Sequence, residues 1–251
     1  TGVKNVLLGG LAGDALTNAD KNIAIGYLSL SADTLGSHSV AIGNAALATQ
    51  NFTTATSSYN VAIGSSAGNA VTTGTQNTLI GGLTGDALTT GALNVAVGYG
   101  ALTSDDLGSK SVALGHSTLA VQNYATATDS LNTAVGHSAG AAVTVGIQNT
   151  FIGAHSGDAV TDADFNVAVG TYSLTENTLG SFSVGVGWGA LFNQNPATAT
   201  NMYNTAVGHS AGGAVTTGTK NTLIGGLAGD ALTTGITNVA VGYQALSSDT
   251  A

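Results

Sequence analysis

The chain of 251 residues has no cysteine, one proline, one methionine and one tryptophan. Without cysteine there is no disulfide framework and no thiolate chemistry. Arginine is absent too, and four lysines face thirteen carboxylates, for a formal net charge of −9. Nucleic acid is excluded as a partner, since its binding draws on Lys and Arg contacts to phosphate. Charged residues make up 7% of the chain, far below the usual share, while 43% are hydrophobic. That balance excludes a disordered acidic tail. Long apolar runs are also missing. Gly, Thr, Ser or Asn breaks each one before the ~18 residues a membrane span needs, so no span is expected in this segment. Glu176 is the single glutamate, which leaves acid–base and nucleophilic catalysis little to work with, and no enzyme or cofactor is expected. The chain opens at Thr1 with no charged-then-apolar leader, and it reads as a fragment of something longer.

What is present is glycine, 37 residues of it, and a repeat. A five-residue motif, Asn/Ser–(Val/Ile/Thr)–apolar–aliphatic–Gly, starts at Asn5, Asn22, Ser39 and Asn60 and recurs to Asn238, fourteen times in all. Three steps of 17 residues and one of 21 make a super-period of 72, and residues 1–251 hold about three and a half copies as one array. Short runs rich in Val and Ile bounded by Gly point to strands, and repetition at this period points to a solenoid. Position four is always large and aliphatic, as at Ile25, Ile42 and Ile63. Position five is always glycine, as at Gly26, Gly43, Gly64 and Gly98. A glycine column implies positive φ or close approach of another backbone. A second one follows ten residues later, as at Gly36, Gly74 and Gly108. Each coil therefore reads as strand, glycine turn, second short strand, glycine turn. The fold class expected is all-β, a parallel β-solenoid (β-roll) of about fourteen 17- or 21-residue coils, roughly 65 Å long at the strand spacing. The asparagine column, with Asn60 as its example, is expected to form an amide ladder along the coils.

Position three is Ala in nine coils. Read as the outward face of the strand, with positions two and four inside, it is apolar where a wetted face would be polar. A strand apolar on both faces is covered on both. The expectation is an intertwined or side-by-side homotrimer, the small column packing against sister chains, with a thicker monomeric solenoid as the alternative.

The runs Ser39-Val40-Ala41-Ile42-Gly43, Asn60-Val61-Ala62-Ile63-Gly64 and Asn132-Thr133-Ala134-Val135-Gly136 resemble the head repeats of trimeric autotransporter adhesins. The longer phrase from Asn238 to Leu246 resembles repeats of phage tail-fibre and bacterial surface proteins. The resemblance spans the chain. It implies a left-handed trimeric β-roll, extracellular, on a cell surface or virion, serving as a fibre segment for host or surface attachment. The adhesin head unit is about fourteen residues, whereas the spacing here is 17 or 21.

Every super-period carries one insertion. Gln50-Asn51-Phe52, Gln122-Asn123-Tyr124 and Gln194-Asn195-Pro196 open these longer segments. Outward loops with amides beside a ring would suit a cell-surface glycan, and a spacer role is the alternative. The Gly9–Leu16 phrase approaches a calcium-binding nonapeptide, but Asp14, Asp86, Asp158 and Asp230 stand four coils apart. His116, His137 and His155 fall at nearly equal offsets of successive coils, an arrangement that suits a transition metal. It occurs once in the array, and no metal site is assigned from it. Thr pairs such as Thr72-Thr73 suggest an ice-binding face but sit on only two coils in four. A tailspike-like depolymerase would need a carboxylate pair that breaks the repeat, and none is evident.

Overall fold

A computed structural model describes residues 2–250. The chain is all-β, a parallel β-solenoid of about fourteen turns, with no helix among the described residues and hence none long and apolar enough to cross a membrane. Its contacts group into two units, residues 1–130 and 131–251. In the first unit seven three-residue strands, Val6–Leu8, Ile23–Ile25, Val40–Ile42, Val61–Ile63, Thr78–Ile80, Val95–Val97 and Val112–Leu114, are the seven copies of the motif. They pair in parallel with motif on motif, Val6 opposite Ile23 and Val40 opposite Val61. In the second unit the seven run from Thr133–Val135 to Val239–Val241, again in phase, as with Phe151 opposite Ala168.

The strands face the other way from the sequence-based expectation. Position three is the interior one: Ala24, Ala41, Ala62 and Leu79 have no exposed surface. Positions two and four, including Ile25, Ile42 and Ile63, are half-exposed on the outside. The reason is room. Opposite each strand the interior already holds another side chain, so mostly small residues fit beneath it.

That other side chain comes from the stretch after the glycine, which is not a second strand as expected. Residues there take positive φ in alternation, as at Leu28 (57°) and Leu30 (52°). Left-handed residues turn successive peptides over, so hydrogen bonds go to different neighbours. Leu28 N–H donates back to Gly10, and Leu30 N–H donates forward to Ala46. Leu30, Leu47, Leu102, Leu119, Leu174 and Leu191 fill the interior from this side. In other coils the same left-handed place is glycine, at Gly68 (58°) and Gly85 (54°), and the filling comes from the strand instead. A Cβ on Gly68 would lie 2.7 Å from Leu79, and one on Gly85 2.9 Å from the same side chain. One leucine thus serves two coils. Among the described residues, second strands occur only as two-residue pairs beside the insertions, Gly36–Ser37 with Thr56–Ser57, Gly108–Ser109 with Thr128–Asp129 and Gly180–Ser181 with Thr200–Asn201.

Both reasons for the first glycine column hold together. Gly26, Gly43, Gly64 and Gly98 have φ between 132° and 141°, and a Cβ on Gly64 would stand 2.3 Å from the carbonyl oxygen of Gly81. The second column, at ordinary φ, answers to close approach alone: a Cβ on Gly74 would meet the Gly91 oxygen at 2.3 Å.

Candidate functional site

The asparagine column is a buried ladder between side chain and backbone. Asn60 Oδ1 accepts the N–H of Asn77 at 2.9 Å, and Asn77 Oδ1 that of Asn94 at 3.0 Å. Each Nδ2 donates to a carbonyl of the second glycine column, Asn60 to Gly74 at 2.7 Å and Asn77 to Gly91 at 2.9 Å. Where that column holds alanine the bond is kept, as from Asn149 Nδ2 to the Ala163 carbonyl at 2.8 Å.

At Ser39, Ser111 and Ser183 the ladder lacks its amide, and these serines open the longer coils. Gln50 supplies the missing group. Its Nε2 donates to Ser39 Oγ at 2.9 Å and to Asp33 Oδ2 at 2.7 Å, and its Oε1 accepts from Asn60 Nδ2 at 2.8 Å. Asp33 Oδ1 accepts the Gly36 N–H at 3.0 Å and that of Phe52 at 3.3 Å. Gln122, Asp105 and Ser111 repeat this arrangement, with Gln122 Nε2 2.6 Å from Asp105 Oδ2. In the third copy an asparagine, Asn177, replaces the aspartate. Its Oδ1 accepts from Gly180 N–H at 3.0 Å, and its Nδ2 donates to the Gly180 carbonyl at 2.7 Å. Burial pushes the Asp105 carboxyl up to about 6, against the opposing hydrogen bonds from Gln122 and Gly108 and with help from the charge of Asp106.

This network relocates the expected glycan contacts. Gln50, Gln122 and Gln194 have no exposed surface, Phe52 and Tyr124 are 5% and 4% exposed, and Pro196 is buried. Amide and ring both point into the coil, because a longer coil has an interior to fill and a ladder to complete. Asn51, Asn123 and Asn195 do face outward, with Thr53-Thr54-Ala55 at the tip of the first insertion. Asn51 Oδ1 accepts from Thr34 at 3.0 Å, and Asn195 Oδ1 from Thr178 at 2.7 Å.

The rings that do reach solvent lie on the flanks of the strands. On one flank stands the residue before each motif, left-handed in all fourteen copies whatever its type. His38 packs tilted against Tyr59 at 5.0 Å, and Phe182 stacks on Phe165 at 4.8 Å and on Tyr203 at 5.3 Å. On the other flank, just after the glycine, Tyr99 stacks on His116, and Trp188 on His209 at 5.0 Å. Between the flanks run the outward Val and Ile columns, with Val95 and Val97 at 37% and 36% exposed and Ile152 and Ile224 at 40%.

The histidine cluster does not form a metal site. His137 and His155 lie 5.3 Å apart, but His155 Nδ1 is 2.9 Å from Asp158, and no group of three His, Cys, Asp or Glu is placed to hold a metal among the described residues. Among protein-family models, curated proteins and solved structures, nothing matches the chain.

Proposed function

We propose that the chain is a structural and adhesive fibre segment, a homotrimer of β-solenoids built from 17- and 21-residue coils. It projects an attachment module from a bacterial surface or a phage tail. The observation that carries the reading is the outward aliphatic face. Positions two and four put two columns of Val, Ile, Leu or Thr on the strands, and aromatic side chains stand on the flanks of several of them. Seven strands make a stripe roughly 30 Å tall in each unit. A soluble monomer rarely leaves so continuous an apolar band wet. Two sister copies cover it here, through the large columns and not the small one first expected. The role is mechanical. Ladders of hydrogen bonds along the coils resist extension, and little Lys is present for trypsin-like cleavage. No part of this role calls for catalysis or a cofactor.

Light scattering on the native chain tests this. The expected mass is three times the 24.3 kDa of one chain. Replacing Ile63 and Val97 by Asp is expected to give single chains with an unchanged β-type circular dichroism spectrum, since both side chains lie outside the coil. A wild-type particle of single-chain mass would overturn the proposal.

A further inference from the structure

We infer that the second unit carries a binding cleft for a neutral sugar ring, centred on Trp188. The cleft has a volume of about 330 Å³, at the small end of ligand pockets. Trp188 and Phe192 are its large apolar groups, Gly213 also lines it, and Asn193, Ser210 and Asp230 are its polar groups. Trp188 is 49% exposed yet held in place, stacked on His209 at 12° and met edge-on by Tyr172 at 84°.

The array supplies its own controls. Where the third super-period has Trp188, Phe192 and Asn193, the first has Asn44, Ala48 and Thr49, and the second has His116, Ala120 and Val121. The second super-period has one ring at these places and the first none, so two large rings together are a local addition. The aspartates of this column are engaged unevenly. Asp86 accepts from Thr103 at 2.6 Å, and Asp158 is held by His155 through Oδ2. Asp158 Oδ1 and Asp230 Oδ1 are each buried with no hydrogen-bond partner, and of the two residues only Asp230 lines the cleft. A buried acceptor without a donor costs on the order of 1–3 kcal/mol.

The polar groups define what fits. Asp230 is the one charged side chain of the lining and only accepts, so an anion is repelled. Asn193 Nδ2 gives one of its two N–H groups to the Gly213 carbonyl at 2.8 Å, which leaves its oxygen as acceptor and one N–H as donor. The site asks its ligand for several hydroxyl donors and one apolar face, which a neutral pyranose has. A quaternary ammonium ion has the apolar face and no hydroxyl donors to offer. This site is distinct from the insertions and does not rest on the trimer.

The chain has one tryptophan, so its fluorescence reports on the cleft directly. Titration of the native chain with methyl glucoside, galactoside, mannoside and their N-acetylamino forms is expected to give a saturable Trp188 emission change with at least one. Saturation-transfer NMR should show contact through ring C–H protons. Phe192→Ala is expected to weaken binding by about tenfold. Gly213→Leu should abolish it, while Ala141→Leu, at the matching place one super-period earlier, leaves it intact. No emission change and no saturation transfer with any of these sugars would overturn the inference. So would preferential binding of tetramethylammonium, or affinity unaffected by Phe192→Ala.

Discussion

Asp105 is a carboxylate that the fold holds out of water, and its chemistry sets a pH dependence. Its folded-state value of about 6 lies above the ordinary 3.8, so the folded chain holds the proton more tightly than the unfolded one. The stabilisation this gives is complete below about pH 4 and is lost as pH rises toward 6, leaving a constant cost at neutral pH on the order of 3 kcal/mol. Asp105→Asn, which copies the arrangement already at Asn177, is expected to raise the thermal midpoint at neutral pH and to flatten its change between about pH 4 and 6. Thermal scans across that range read both effects. Asn77→Ala acts in the opposite direction. It strands the N–H of Asn94 and the carbonyl of Gly91 inside the coil, at a cost of about 3 kcal/mol, and hydrogen exchange at Asn94 should speed up. Little of this network is written in the residues singly. Gln50 looks like a loop amide until Ser39, its partner across the coil, is seen to lack one.

Within a coil, side-chain volume is shared between the strand and the left-handed stretch. Leu79→Ala should therefore empty space beneath both Gly68 and Gly85, with a loss of about 3–5 kcal/mol read from the denaturation midpoint. Glycine offers a second contrast. Gly81 and Gly242 have φ of 134° and 127°, but a Cβ on Gly81 would lie 2.6 Å from the Gly98 oxygen, and one on Gly242 meets nothing within 4 Å. Gly81→Ala is expected to destabilise well beyond Gly242→Ala, the difference measuring close approach separately from backbone strain. The strands, their parallel stacking and both glycine columns were legible from period and spacing. The direction of the strand faces was not. Alternation tells that Ala41 and Ile42 point to opposite sides, but not which side is dry. That is decided by Leu47 from elsewhere in the same coil. The signal was available in the exchange of large and small residues between Leu79–Gly85 and Ala41–Leu47. The left-handed alternation at Leu28 and Leu30 was hidden for another reason: leucine gives no local hint of positive φ, and hydrogen bonds between coils impose it.

Across the whole molecule, stability is a sum of neighbouring coils, so local losses spread only as far as the next turns. The net charge of −9 per chain makes sister copies repel, while the proposed contact surface is aliphatic. Added salt is expected to leave the proposed trimer intact or tighten it, by screening that repulsion. Sedimentation from low to high ionic strength checks this, and dissociation at high salt would count against an apolar interface. The candidate sites were the least legible part. The cleft at Trp188 gathers side chains from successive coils, and its departure from the repeat shows only when the three super-periods are laid over one another. The lysines extend the same logic of position. Lys4, Lys21, Lys110 and Lys220 all occupy the exposed left-handed place before a motif, with φ from 59° to 63°. A dye that reacts with side-chain amines would therefore mark, within each unit, the flank before the motif and leave the flank after the glycine unmodified.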